Sequence, residues 1–238
     1  MSKPVYGRIL LKLSGEILAG DKGFGVDPKT AKSLASEIKS AKNLGVDIGI
    51  VIGGGNIIRG ELAEIQGMDR VSADYLGMLA TIINAITLQD ALEKESCETR
   101  TLSALSISQL AEPYIRRRAI RHLDKGRVII LAGGTGNPYF STDTAAVLRA
   151  TEIEANAVIK GTKVDGVYNK DPMIYEDAKR FDSINYKTVI AEDLKIMDMT
   201  AVAMARENKL PIVIFDVNNR GNLVKILCGE KIGTSVLE

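Results

Sequence analysis

Apolar positions along this chain follow two rhythms. Short, nearly unbroken apolar runs fall at Arg8–Leu13, Val46–Ile52, Thr99–Ala104, Arg127–Ala132, Ala157–Lys160 and Ile212–Asp216. Between them lie longer stretches in which apolar residues recur every three or four positions. Runs such as IGIVIGG, VIILAGG and PIVIFDV lack the in–out alternation of a half-exposed strand. They suit strands covered on both faces, as in a parallel sheet flanked by helices.

The helical stretches carry start and stop signals. Asp27 offers a capping side chain and Pro28 a preset first helical residue. Ala31, Leu34, Ala35, Ile38 and Ala41 then form one stripe, and Gly45 supplies the stop. A second helix is predicted over Ser72–Glu95, with Leu76, Leu79, Ile83 and Ile86 on its inner face. Others are predicted at Ser108–Lys125, Asp143–Glu154 and Met199–Asn208. Strands alternating with helices at this spacing predict a layered α/β fold. With no internal repeat, low-complexity stretch or Pro/Ser-rich linker, one compact unit is the simplest organisation.

Composition narrows the class of protein. Hydrophobic residues make up 45% of the 238 and charged residues 26%, as in an ordinary globular domain, so disorder is not expected. The 31 Lys and Arg nearly balance the 30 Asp and Glu, which argues against a dedicated nucleic-acid binder. Cys97 and Cys228 cannot build a disulfide framework and lack metal-ligand spacing, which fits a reducing compartment. No apolar run approaches the roughly 20 residues of a bilayer span, and the opening MSKPVYGRILLKLSGE does not read as a signal peptide. A cytoplasmic protein with neither membrane nor nucleic acid as partner is expected. The single histidine, His122, leaves little for multi-His metal or relay chemistry; near a helix end it reads as a cation favoured by the helix dipole.

The informative glycines follow strands. They are Lys12-Leu13-Ser14-Gly15-Glu16, Gly53-Gly54-Gly55-Asn56-Ile57-Ile58-Arg59-Gly60 and Gly133-Gly134-Thr135-Gly136-Asn137-Pro138. Ligands of open α/β sheets bind at the carboxyl ends of strands, where glycines let backbone N–H groups converge on an anion. Two phosphate motifs fail: after Gly15 and Gly20 comes Asp21 where a P-loop needs Lys, and Gly134-Thr135-Gly136 lacks the third glycine of a dinucleotide fingerprint. Beside the loops stand Lys12, Arg59 and Asp143. Two cations with glycine-rich N–H groups make an anion clamp suited to phosphoryl transfer, which is mostly positioning and charge neutralisation.

With those loops in place, the sequence resembles the amino-acid kinase superfamily and, within it, the bacterial uridylate (UMP) kinases. The carriers are RILLKLSGE at 8–16, IVIGGGNIIRG at 50–60, AGGTGNPYFSTDTAA at 132–146, KGTKVDGVYNKDP at 160–172 and KLPIVIFD at 209–216. The resemblance implies a three-layer sandwich, one domain with an acceptor lobe at about 1–155 and an ATP lobe at about 156–238. It implies transfer of the γ-phosphoryl of ATP to UMP, giving UDP and ADP, in de novo pyrimidine nucleotide synthesis. Catalysis would fall to Lys12, Arg59 and Asp143, with Asp143 orienting Lys12 rather than acting as a base. ATP would be held by Lys12, Leu13, Ser14, Gly15, Gly55, Arg59, Thr162, Tyr168 and Asp171. UMP would be held by Gly54, Asp74, Thr135, Gly136, Asn137, Pro138, Tyr139, Phe140, Ser141 and Thr142. Mg²⁺ would be carried by ATP, with no metal site from the protein alone.

Some positions keep two readings. Asp74 is either a ribose acceptor or an acidic residue favoured in a helix's first turn; Thr142 or Asp143 is expected to cap the following helix. Tyr168 is an adenosine contact or a turn aromatic, and either Lys160 or Lys163 could face phosphate. The family further implies a homohexamer activated by GTP and inhibited by UTP. Gly20, Asp21, Lys22, Gly23, Phe24, Gly25 and Arg127 are effector-site candidates, although the 20–25 run is equally a surface loop and the Arg116–Arg118 run a solvated helix face. Rival readings are a relative phosphorylating an amino-acid carboxylate or carbamate, and a non-catalytic nucleotide sensor.

Overall fold

The strands predicted as doubly covered form the middle of a single twisted sheet. The computed structural model describes residues 3–58, 67–170, 172 and 174–238. In chain order the sheet strands are β1 (Arg8–Leu13), β2 (Asp47–Ile52), β3 (Thr99–Ser103), β4 (Glu112–Pro113), β5 (Val128–Ala132) and β6 (Ala157–Thr162). A short antiparallel ribbon of β7 (Val167–Tyr168) and β8 (Arg180–Phe181) stands apart. β9 (Ser183–Asn185), β10 (Ile212–Asp216) and β11 (Thr234–Leu237) complete the main sheet, in spatial order β4-β3-β5-β2-β1-β6-β10-β11-β9. Every pairing in it is parallel except β10 with β11.

Two helical layers cover the sheet. On one face lie α1 (Pro28–Lys42), α2 (Arg70–Lys94) and α7 (Asn222–Leu227). On the other lie α3 (Arg116–Asp124), α4 (Thr142–Glu152), α5 (Tyr186–Ala191) and α6 (Met199–Glu207). The period-2 pleat of β1 serves both layers: Ile9, Leu11 and Leu13 enter the first core and Leu10 the second. α1 begins as expected, with Asp27 accepting from the Thr30 N–H at 3.0 Å and its five-residue stripe buried.

Two expectations need correction. Of the predicted inner face of α2, Ile86 packs partly buried against the core and Leu76 is half-buried, but Leu79 and Ile83 are 40% and 51% exposed, while Ala73, Met78, Ala80, Ile82, Ala85, Leu88 and Leu92 face inward. Close approach selects the small-residue face: a Cβ on Gly54 would already lie 2.8 Å from the Ala80 Cβ. By length and composition alone the 25 residues of α2 would qualify to cross a bilayer. It packs instead as a core helix on α1, β3 and β5. The predicted Ser108–Lys125 helix is shortened to α3, because Glu112–Pro113 pairs with β3; proline biases the residue before it toward extended backbone. His122 lies in the last turn of α3, with Arg127 Nη1 3.0 Å from its Nδ1 and Glu112 3.2 Å from its Nε2.

Candidate active site

Lys12 occupies the one polar position of β1's inner run, on the same face as Leu10. The parallel register places Lys160 of β6 directly beside it. Two ammonium groups on adjacent strands would repel, and Asp143, in the first turn of α4, bridges them. Its Oδ1 lies 2.5 Å from Lys12 Nζ and its Oδ2 2.8 Å from Lys160 Nζ. Lys160 also donates to the Ile196 carbonyl at 2.7 Å. Burial by itself would raise the Asp143 carboxyl, but the Lys12 and Lys160 ammoniums outweigh it and hold the group below the usual carboxylate range. Burial, joined by the Lys12 charge, lowers Lys160 despite the carboxylate alongside. The cluster keeps one more positive than negative charge in a site where Lys12 is only 7% exposed, so it is prepared for an anion.

The glycine loops meet backbone to backbone beside this cluster. A Cβ on Gly15 would sit 2.4 Å from the Gly53 carbonyl oxygen and 2.5 Å from Asn56 Oδ1. Gly53 N–H donates to the Leu13 carbonyl at 2.9 Å, so Leu13 contributes through its backbone while its side chain is buried. Among the described residues, no backbone carbonyl accepts from the N–H groups of Gly54, Gly55 or Asn56.

Two cavities flank the Lys12–Asp143 pair. A cleft of about 700 Å³ is lined by Lys12, Ser14, Glu16, Lys160, Thr162 and Tyr168, among others. A smaller one of about 140 Å³ is lined by Gly54, Gly55, Asp74, Thr81, Phe140 and Thr142. Lys12 faces the first, and Asp143 directly follows Thr142 of the second, so the charge cluster stands where the two spaces approach one another.

The structure brings Lys12, Ser14, Thr162 and Tyr168 to the cleft, and Gly54, Gly55, Asp74, Phe140, Ser141 and Thr142 to the smaller cavity. Lys160 rather than Lys163 joins the charge cluster; Lys163 is exposed and pairs with Glu16 at 3.4 Å. Thr162 Oγ1 donates to the Val164 carbonyl at 2.7 Å, and Tyr168 hydroxyl donates to Asp165 at 2.7 Å, so both belong to local turns while lining the cleft. Asp74 is the fifth residue of α2, whose first turn holds no acidic residue, so the first-turn reading of Asp74 falls away. Its Oδ2 accepts from Tyr139 N–H at 2.7 Å and Arg70 Nε at 3.0 Å, tying α2 to the loop 134–141. Of that loop, Gly134, Phe140 and Ser141 line the smaller cavity; Thr135, Gly136, Asn137, Pro138 and Tyr139 do not. Ser141, not Thr142 or Asp143, caps α4, accepting from the Asp143 N–H at 2.9 Å.

Arg59 and Asp171 lie outside the described residues. The effector candidates do not converge. Gly25 is tied to Asn56 beyond the carboxyl end of β2, whereas Arg127 precedes the amino end of the neighbouring parallel strand β5 and pairs with Glu98 at 2.8 Å. Sequence reading missed Asp198, which caps α6 and accepts from Thr144 Oγ1 at 2.8 Å and from Ser141 Oγ. Its signal was modest: an acidic residue before a helical run.

A parallel sheet between two helical layers, with paired lysines on one carboxylate at the strand ends, defines a phosphate-handling α/β protein. The chain belongs to the amino acid kinase family, whose model matches residues 7–216. Among solved structures it is similar to a UMP kinase from Bacillus anthracis, with 40% identity, coverage of 98% of this chain and 96% of that one, and a TM-score of 0.95. A UMP kinase from Ureaplasma parvum matches at 35% identity and TM-score 0.93, with 100% of each chain covered. A uridylate kinase from Archaeoglobus fulgidus matches at 25% identity and TM-score 0.74, covering 96% and 99%.

Proposed function

We propose that this protein is an ATP-dependent UMP kinase, moving the γ-phosphoryl of ATP onto UMP to give UDP and ADP for pyrimidine nucleotide synthesis. The observation that carries the reading is the buried Lys12–Asp143–Lys160 cluster between a large cleft and a smaller pocket. End-to-end likeness to UMP kinases supports the choice of acceptor. ATP occupies the larger cleft in the C-terminal lobe, and UMP the pocket lined by Gly54, Asp74 and Thr142 in the N-terminal lobe.

The acceptor is a phosphate oxygen already anionic near neutral pH, so no strong base is required. What must be overcome is repulsion between two anions. Lys12 neutralises charge on the phosphoryl group in flight, and Lys160 shares Asp143 so that both cations stay fixed before substrate arrives. The N–H groups of Gly54 and Gly55, from which no backbone carbonyl of the described residues accepts, supply further donors, with Arg59 as an additional cation. Asp143 has each oxygen beside a lysine, which leaves it a poor metal ligand. Among the described residues, no group of three or more His, Cys, Asp or Glu could hold a metal ion. Mg²⁺ carried on the phosphates of ATP would supply further charge neutralisation there.

Cytoplasmic residence and control by GTP and UTP are part of the same reading, resting on composition and family likeness. Assembly into a homohexamer has one structural support, the apolar stripe of Tyr75, Leu79 and Ile83 exposed along α2. Ile83→Glu should lower the assembly state in analytical ultracentrifugation; an unchanged sedimentation profile would remove α2 from the interface. The catalytic reading is tested by ADP release with Mg·ATP across nucleoside monophosphates and amino acids.

A further inference from the structure

Two buried asparagines lie behind the glycine loop, one in the IVIGGGNIIRG run and one outside the quoted motifs, and neither belongs to the charge cluster. Asn56 is 1% exposed and Asn84, on α2, is fully buried. Their side chains form a closed exchange. Asn56 Nδ2 donates to the Gly25 carbonyl at 2.6 Å and to Asn84 Oδ1 at 3.0 Å. Asn84 Nδ2 donates to the Gly53 carbonyl at 2.7 Å and to Asn56 Oδ1 at 2.6 Å. All four amide protons have acceptors, and flipping either amide would set like groups against each other.

The backbone around the pair shows what this exchange does. The Gly53 carbonyl is held by Asn84, the Gly54 carbonyl by the Ile57 and Ile58 N–H groups, and the Asn56 carbonyl by the Gly25 N–H. With these oxygens turned inward and occupied, the N–H groups of Gly54, Gly55 and Asn56 are left without backbone acceptors among the described residues. Gly54 and Gly55 line the smaller pocket. Successive N–H groups presented in this way form an anion-binding nest.

We propose that the Asn56–Asn84 amide pair positions the Gly53–Asn56 backbone so that its N–H groups converge on phosphate. Both are positioning residues, acting through the backbone and touching no substrate. The proposal rests on the kinase reading for its biological use, and its central test is independent of the acceptor's identity. Inorganic pyrophosphate serves as the probe, with affinity measured calorimetrically on the full chain.

Asn84→Ser should weaken pyrophosphate binding about tenfold or more, because the nest loses the restraint on Gly53. Ile82→Val, a core change on the same helix, controls for general loosening and should stay within about twofold of wild type. Should Asn84→Ser fail to fold, Asn84→Leu keeps the volume and adds no charge. Wild-type affinity in the folded asparagine variant, or an equal loss in Ile82→Val, would overturn the proposal. In turnover with Mg·ATP and UMP, kcat should fall about thirtyfold in the asparagine variant. A wild type that binds pyrophosphate yet leaves UMP unphosphorylated would sink the substrate reading alone, and the pyrophosphate comparison would still decide this one.

Discussion

Lys12→Ala removes a buried cation that lines the larger cleft and pairs with Asp143. At an effective dielectric of about 20, a unit charge roughly 4 Å from a charged phosphoryl oxygen is worth about 4 kcal/mol. Losing it from the transition state corresponds to a fall in kcat of about 10³-fold. The variant's fold should survive, because Asp143 keeps its contact with Lys160 at 2.8 Å and is not left as an unpaired buried charge. The assay is steady-state ADP release at saturating ATP and UMP, with thermal unfolding measured on the same preparation. A drop in kcat of the expected size with a cooperative unfolding transition supports the role given to Lys12. Turnover within tenfold of wild type would refute it.

Three further outcomes are expected. Asp143→Asn should change the acid limb of stability: the lowered carboxyl contributes stability that is complete above its unfolded pKa and is lost as pH falls through the folded value. Unfolding followed against pH should therefore show wild type losing more stability than the variant below about pH 4, and parallel curves would contradict the charge assignment. Gly15→Ala should cost both stability and activity, because its Cβ would sit 2.4 Å from the Gly53 carbonyl oxygen and neither backbone can move freely; a variant with wild-type melting and kcat would show that the loops are not in contact. Asp74→Asn should raise KM for UMP several-fold with kcat within about threefold, as expected for an interaction shared by ground and transition states; a collapse of kcat at constant KM would assign Asp74 to the chemistry instead.

How legible this molecule was from its sequence depended on how local the determining physics is. The central strands announced themselves, because double burial removes polar residues from both faces of β1, β2, β5 and β10. The start of α1 was equally plain, since Asp27 and Pro28 act within one turn. The inner face of α2 was not. That helix is apolar around much of its circumference, and the deciding factor is the close approach of Gly54 to Ala80, a tertiary contact. Likewise β4 is two residues long and owes its existence to pairing with β3.

Within the site, Lys12 and Asp143 could be singled out by their glycine-rich neighbourhoods. That Lys160, rather than Lys163, shares the carboxylate follows only from the β1–β6 register. Asn84 carried the opposite kind of signal, a lone amide on the apolar side of a helix, whose meaning becomes visible once Gly53 and Asn56 are seen against it.

The measurement that tests the central claim most directly is ADP release with Mg·ATP against UMP, CMP, dTMP, AMP, glutamate, N-acetylglutamate and aspartate, each with and without GTP. The account predicts strong preference for UMP. Phosphorylation of an amino acid in its place, or nucleotide binding with no turnover across the panel, would contradict it.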